Sequence, residues 1–363
     1  MNHIITRWFK KYFSDPEGII LAVLLFLGFA VVIFMGKMLA PLLVSVVVAY
    51  LLEGVVAALE CRGVPRLLAV LVVFTLFLAF LLFLVFGLMP LLSSQITELL
   101  RKVPSMIERV QQELLLLPEK YPAFITKEQV NDLFAEMGTA VSNMAQKFLS
   151  ISLASIGGLI TLAVYLVLLP VLVFFFLKDK KLIVNWLTSF LPPERGLATR
   201  IWKEMDIQIG NYVRGKFSEI LIVGLVSYIV FALFGLQYAM LLGALVGLSV
   251  VIPYIGAAVV TIPVALIAYF QWGWSSEFAY LMLAYAIIQA LDGNVLVPLL
   301  FSEAVNLHPV AIITAVLVFG GLWGLIGVFF AIPLATLVKA VLMSWPRSAE
   351  HDEHPPRENI SAA

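Results

Sequence analysis

Ionisable side chains are scarce in the last third of this chain, and each lies within strongly apolar sequence. Between residues 220 and 343 the acidic, basic and histidine residues are Glu277, Asp292, Glu303, His308 and Lys339. An ionisable group at membrane depth is costly and usually faces a cavity or a charged partner. These positions are therefore the first candidates for binding or transport chemistry.

Asp292 belongs to the densest polar group in this region. The group consists of Gln289, Asp292, Gly293, Asn294 and Pro298. Asp292 could coordinate a cation, carry a proton or contact a substrate, with Gln289 and Asn294 beside it. The alternative is structural, because Asp and Asn also cap the free backbone amides of a broken helix.

Glu53 and His308 are two further candidates in apolar surroundings. Glu53 lies inside the second apolar run, where a buried carboxylate could carry protons or simply extend towards the cytoplasmic end. His308 precedes Pro309. This pair could form a pH-responsive gate, or a helix entry with proline at the first helical position.

The apolar sequence of the last third is interrupted at three places. The interruptions are residues 253–256 (including Pro253 and Gly256), 289–298, and 320–327 (including Gly324 and Gly327). Unbonded backbone groups are costly in hydrocarbon, so broken helices persist there only when they are buried in protein or line a wet cavity. Broken helices of this kind are typical of a transporter core. The glycines of the third break could serve helix packing or close approach of a ligand.

Other function classes receive little support from the sequence. Residues 210–216 have the spacing of a phosphate loop, but Phe217 stands where Ser or Thr should hold magnesium. Arg214 and Lys216 are better interpreted as cationic anchors at the membrane interface. The sequence has no HExxH, GxSxG or paired-cysteine motif, so we expect no enzyme activity, cofactor or metal centre. The formal charge of zero gives no reason to expect a nucleic-acid partner.

Composition predicts an all-α polytopic membrane protein, because 62% of the residues are hydrophobic and only 13% are charged. Runs of about twenty apolar residues can span a bilayer. Five runs approach or exceed this length, at residues 19–35, 38–59, 67–92, 151–177 and 217–235. The first two are joined only by Gly36 and Lys37, which predicts a tight hairpin.

Shorter apolar arms follow, at residues 239–252, 256–270, 310–322 and 326–343. They suit two re-entrant hairpins, with one full crossing at 278–300 between them. An Ile-Gly pair precedes an Ile-Pro pair in both hairpins, at 255 and 262 and again at 326 and 332, so they resemble an internal repeat. The total is about eight membrane segments, and inverted hairpins would make a two-sided central site.

The chain divides into five predicted regions. These are amino-terminal membrane helices (1–92), an amphipathic periplasmic insert (93–150), a membrane helix with a basic cytoplasmic loop (151–216), a transport core (217–343) and a disordered tail (344–363). Basic residues favour cytoplasmic loops. This rule predicts that both termini lie in the cytoplasm. The first residues do not form an amphipathic presequence rich in Arg and Ser, which favours a bacterial inner membrane over an organelle.

Together these residues resemble the autoinducer-2 exporter family, in particular its PerM-like permeases, over residues 19–343. The resemblance is carried by FFFLKD at 174–179, LP at 191–192, YVRG at 212–215, IPYIG at 252–256, FGGLWGLIG at 319–327, and Asp292, Asn294, Pro298, His308, Pro309 and Pro333. One departure is Ala257, where many relatives have proline.

The resemblance implies a multi-pass inner-membrane permease, and a homo-oligomer. We therefore expect a secondary transporter or exporter of a small polar solute such as a signalling molecule. A sodium or other cation/proton antiporter is the first alternative, with Asp292 and Glu53 as titrating groups. A non-transporting membrane scaffold, built on the insert and the basic loop, is the second.

Overall fold

The computed structural model describes residues 16–115, 156–192, 196–253, 255–301 and 307–344, together with isolated positions between 128 and 143. Throughout these ranges the regular structure is helical, with no strand, which confirms the all-α prediction. The helices are α1 (Pro16–Glu60), α2 (Arg66–Phe83), α3 (Met89–Leu114), α4 (Ile156–Lys178), α5 (Lys180–Ser189), α6 (Gly196–Leu233), α7 (Ala239–Ser249), α8 (Ile255–Trp272), α9 (Ser276–Leu291), α10 (Val297–Phe301), α11 (Pro309–Phe329) and α12 (Ala331–Ser344).

Membrane-length apolar helices dominate the described part of the chain. By length and composition, seven of its helices can cross a bilayer, and three shorter apolar helices accompany them at Val164–Lys178, Ala239–Ser249 and Ala331–Met343. Their outward faces carry large exposed apolar side chains, as expected where lipid replaces water. The chain is thus a multi-pass membrane protein.

Helix α1 cannot be a straight rod. The backbone N–H of Leu197 donates to Glu17 (2.8 Å), and the Tyr50 hydroxyl donates to Asp206. Leu197 and Asp206 are about 14 Å apart along α6, whereas a straight helix would separate Glu17 from Tyr50 by about 50 Å. The helix therefore bends between Glu17 and Tyr50, although it is continuous from Pro16 to Glu60 and has Pro41 in its interior. The tight hairpin at Gly36 and Lys37 stays a prediction.

Two predicted region boundaries fall inside continuous helical segments. Helices α2 and α3 are joined by a π-helical turn at Leu84–Leu88, so the membrane helix runs directly into the first arm of the amphipathic insert. The second arm, beyond Pro118, lies largely outside the described residues. Helix α6 likewise runs through the predicted boundary at residue 216, so the basic loop and the following membrane helix share one rod.

Helices α6 and α7 pack through glycines. A Cβ atom on Gly247 would lie 2.8 Å from Gly224 Cα, and one on Gly243 would lie 2.8 Å from the backbone N of Tyr228. Small residues spaced by four allow helix backbones to approach closely in membranes, where dispersion and not water exclusion drives association. Helix α6 also contacts α1, α9, α10 and α12, which makes it the central rod of the bundle.

The first predicted hairpin is formed by the antiparallel helices α7 and α8. Their outer ends are joined by Gln271, which accepts from the N–H of Gln237 (2.7 Å) and donates to the carbonyl of Gly235 (2.8 Å). The helical structure is interrupted between Ser249, where α7 ends, and Ile255, where α8 begins. At this tip Gly256 packs directly on the carbonyl of Ser249, leaving no room for a side chain.

The second hairpin has the same construction. Helix α11 breaks at Gly324, whose φ of 60° and ψ of −139° are outside the helical region, and α12 packs back against it. Gly327 lies on the carbonyl of Phe319, in the way that Gly256 lies on Ser249. The two halves of the predicted repeat therefore have equivalent tips, each closed by a glycine that faces the carbonyl of the preceding arm.

We expect Gly256→Ala to destabilise the protein by about 1–3 kcal/mol, because the new methyl group must displace a backbone carbonyl. The matched control is Gly321→Ala, at a helical position with no neighbour within 4 Å, where alanine should be neutral or slightly stabilising. Thermal unfolding of the detergent-purified variants measures both effects. Equal melting temperatures for the two variants would contradict the described tip.

Candidate functional site

A polar cavity lies where the first hairpin tip, α6 and the break after α9 converge. Its volume is about 430 Å³. The lining combines charged and amide groups with an apolar wall: Tyr212, Lys216, Glu219, Val250, Ile252, Pro253, Ala257, Gln289, Asp292, Gly293, Val297, Phe301, Ile312 and Ile332. The second hairpin contributes Ile312 and Ile332, so both hairpins border the same space.

Asp292 enters this cavity from a π-helical turn, Asp292–Leu296, that separates α9 from α10. The turn has a local cause: Pro298 has no N–H to donate to Asn294 and its ring crowds that carbonyl, so the hydrogen-bond ladder shifts. The N–H of Val297 instead donates to the carbonyl of Asp292. Such π-turns are frequent at functional sites because they redirect side chains.

The carboxylate of Asp292 is only partly satisfied. Its Oδ1 atom is buried and, within the described part of the chain, has no hydrogen-bond partner. A buried acceptor without a donor is unfavourable unless water or a ligand reaches it. Its position on the cavity wall makes this atom the clearest attachment point for a ligand.

Lys216 and Glu219 form a buried ion pair that lines the same cavity as Asp292. Their side chains are one helical turn apart on α6, with Lys216 Nζ 2.6 Å from Glu219 Oε2. Only 4% of Lys216 and 2% of Glu219 are exposed. Asp292 interacts electrostatically with both members of the pair. The cavity therefore holds two carboxylates and one ammonium group.

Lys216 also binds the first hairpin. Its Nζ donates to the carbonyl of Val250 (3.0 Å), the residue that follows the last turn of α7. The same ammonium lies 5.1 Å from the centre of the Phe301 ring, in a cation–π arrangement. One side chain thus satisfies a carbonyl released by the broken helix and connects α6 to the tip.

A hydrogen-bonded chain connects the cavity to α8. Gln289 Nε2 donates to the Tyr285 hydroxyl (3.0 Å), which lies 3.2 Å from Thr261 Oγ1. Thr261 in turn donates to the carbonyl of Ala257 on the cavity wall (2.7 Å). These contacts fix the amide of Gln289 relative to the first hairpin.

The structure brings three of the predicted site residues together, namely Asp292, Gln289 and Pro253. Gly256 adjoins them as a packing glycine at the tip. Asn294, by contrast, is exposed and donates to the carbonyl of Ala290 (2.8 Å) without lining the cavity.

The remaining predicted site residues lie away from the cavity lining. Gly324 and Gly327 shape the second hairpin tip. His308 is the N-cap of α11, where its Nδ1 accepts from the N–H of Val310 (3.3 Å), in agreement with the helix-entry alternative. Glu53 lies in a separate ionic cluster and contacts Arg66 and Lys180, each at 3.4 Å.

The interpretation of Lys216 as an interfacial anchor is wrong. The side chain is buried within the bundle, and its burial is stabilised by Glu219, which sequence reasoning did not select. The available signal was the i, i+3 spacing of an acidic and a basic residue at the start of an apolar run. Arg214 is exposed and differs from Lys216 in this respect.

Among the described residues no group of three or more His, Cys, Asp or Glu side chains is placed to hold a metal ion.

Comparison with known proteins identifies relatives over almost the whole chain. The model of the AI-2E family transporters matches residues 19–347. The protein PerM of Escherichia coli (strain K12) is 49% identical over 346 residues, covering 95% of this chain and 98% of PerM. YrrI of Bacillus subtilis (strain 168) is 28% identical, covering 85% of this chain and 86% of its own length.

A third relative has a more specific name. The AI-2 transport protein TqsA of Escherichia coli (strain K12) is 26% identical over 328 residues, which is 89% of this chain and 92% of TqsA. The family model and the PerM similarity both extend across the hairpins and the Asp292 turn. The chain therefore belongs to the AI-2E family of transporters.

Proposed function

We propose that this protein is a secondary transporter that moves a small polar solute through the cavity beside Asp292. The observation that carries the proposal is the grouping of two carboxylates, an ammonium and a carboxamide around one 430 Å³ space in an apolar bundle, with Lys216, Glu219 and the Oδ1 atom of Asp292 buried. Burying these groups is costly. A polar ligand that must cross the bilayer would explain why these polar and charged side chains are present inside the bundle.

The geometry of the hairpins supports alternating access. The cavity lies at the tip of one broken hairpin and beside the arms of the other. Repeats of this construction can expose one central site to each side of the membrane in turn. A volume of about 430 Å³ falls within the usual range for small-molecule sites, about 300–1,000 Å³.

The chemistry of the cavity and the name of one relative support a class of solute. Unpaired acceptor atoms such as Asp292 Oδ1 favour a solute with several hydroxyl or amino donors. TqsA is named as an AI-2 transport protein. We therefore infer that the solute is a small polar signalling molecule. From the resemblance to the exporter family we further propose that it is exported and that the protein is a homo-oligomer in the lipid bilayer; transport against a concentration gradient would need an ion gradient.

A cation/proton antiporter is the second candidate. It is favoured by the lack of a hydrogen-bond donor for Asp292 Oδ1 within the described residues. A carboxylate in that state can accept a proton or coordinate a cation. In this alternative Asp292 binds a proton and a cation in turn. Glu219 takes the role that the sequence assigned to Glu53, that of the second carboxylate, because Glu219 lines the same cavity as Asp292.

Asp292→Asn tests the proposed site. Flux in sealed liposomes with candidate solutes and imposed sodium or proton gradients should fall about tenfold or more, because a hydrogen bond to a charged group contributes about 1.5 kcal/mol or more. The matched control is Asn294→Ala, in the same π-turn but outside the cavity lining, which should keep wild-type flux.

The pattern of loss distinguishes the candidates. Solute efflux that Asp292→Asn weakens supports the exporter. Cation-dependent proton movement that disappears in the same variant supports the antiporter. Wild-type protein without any flux would reject both and favour the scaffold built on the insert and the basic loop.

Inner-membrane orientation can be tested with the native thiol. Cys61 is exposed and precedes Arg62 and Arg66, so the basic-residue rule places it in the cytoplasm. In intact cells a membrane-impermeant maleimide should label Cys61 only after the membrane is permeabilised. The control is Ser105→Cys in a Cys61→Ser background, which should label without permeabilisation. The reverse pattern would invert the proposed topology.

A further inference from the structure

Lys216 occupies an oxygen-lined position in the proposed transport site. Around its Nζ atom lie a Glu219 carboxylate oxygen at 2.6 Å, the Val250 carbonyl oxygen at 3.0 Å and the face of Phe301, with its ring centre at 5.1 Å. Carboxylate and carbonyl oxygens and an aromatic face are also groups that bind small monovalent cations. The ammonium therefore fills a position that a free cation could occupy.

The charge balance of the cavity is incomplete while Lys216 is there. One ammonium faces two carboxylates, and Asp292 Oδ1 has no hydrogen-bond donor among the described residues. A second cation close to Asp292 would neutralise the site. It would also compete with Lys216, because the two carboxylates interact with each other and with the same ammonium.

We propose that Lys216 is a tethered competitor for a monovalent cation, either an alkali-metal ion or the primary ammonium group of a solute. When the ligand binds Glu219 and Asp292, the lysine side chain is released from Glu219 and from the Val250 carbonyl. Because Lys216 belongs to α6 and Val250 to the first hairpin, this exchange disconnects the tip from the central helix. Ligand binding is thereby coupled to hairpin movement.

The inference rests on the proposed function only in taking this cavity as the transport site. The geometry itself is independent of which solute moves. The ionic cluster at Glu53 does not reproduce it, because Glu53 pairs with Arg66 and Lys180, at 3.4 Å from each, in a more exposed position. The Lys216–Glu219 pair combines deep burial with a contact to a broken-helix carbonyl.

Lys216→Met removes the tethered ammonium and leaves both carboxylates in place. We expect the melting temperature of this detergent-purified variant to rise by about 2 °C or more in sodium chloride or ethylammonium chloride, relative to choline chloride at equal ionic strength. Wild-type protein should respond less, because its own lysine occupies the position. Stabilisation by sodium alone indicates an alkali-ion site, and by ethylammonium alone an amine site.

Lys216→Met/Glu219→Gln is the matched control. Replacing both members of a buried pair is tolerated better than leaving one charge unpaired, so this variant should fold and show no cation preference. If Lys216→Met folds only when sodium or ethylammonium is present, the proposal is supported. The proposal is overturned if Lys216→Met responds equally to all three salts, or remains unfolded in each of them while the double variant folds.

The two proposals fail in different ways. Loss of flux in Asp292→Asn without a cation response in Lys216→Met rejects the competition and keeps the transporter. A cation response without any flux in wild-type protein rejects the transporter and keeps the cation site.

Discussion

Backbone hydrogen bonding in a nonpolar medium is the constraint on which this structure depends. Hydrocarbon offers no partner for a free N–H or C=O, so every helix break must be satisfied by the protein, water or a ligand. At the first break, Lys216 donates to the carbonyl of Val250, and Gly256 packs on the carbonyl of Ser249. The site is therefore built from the same interactions that make the break tolerable.

The buried charges follow from this arrangement. An ammonium that serves a carbonyl inside the bundle would be unstable alone, and Glu219 on the next turn of α6 supplies the opposite charge. Asp292 then adds a second carboxylate from the π-turn that Pro298 imposes on the facing helix. Three local features, a broken hairpin, an ion pair and a displaced hydrogen-bond ladder, thus converge on one cavity.

Packing glycines explain how these elements come close enough to interact. Gly243 and Gly247 bring α7 against α6, which places the end of α7 within reach of Lys216. Gly327 closes the second hairpin in the same way as Gly256 closes the first. Glycine at these positions serves close approach, and the positive φ of Gly324 sets the second break.

Much of the fold could be predicted from the sequence because apolar run length and helix breakers act locally. The hairpin breaks and the polar turn at Asp292 both follow from such patterns. The i, i+3 spacing of Lys216 and Glu219 indicated an ion pair, but the sequence could not show that the pair is buried, because its burial depends on how α6 packs against the tip. The sequence could not predict that Asn294 is exposed for a related reason, because a π-turn changes which side chains share a face of the helix.

Accessibility of the cavity wall tests the central claim that solute passes between the first hairpin tip and Asp292. In a Cys61→Ser background, Ala257→Cys places a thiol on the cavity lining. Val259→Cys places one on α8 away from the cavity lining, at a position that is 59% exposed and that we expect to face lipid. A charged methanethiosulfonate reagent should modify Ala257→Cys and block flux, while Val259→Cys in lipid stays unmodified. An Ala257→Cys thiol that does not react from either side of the membrane would contradict the account.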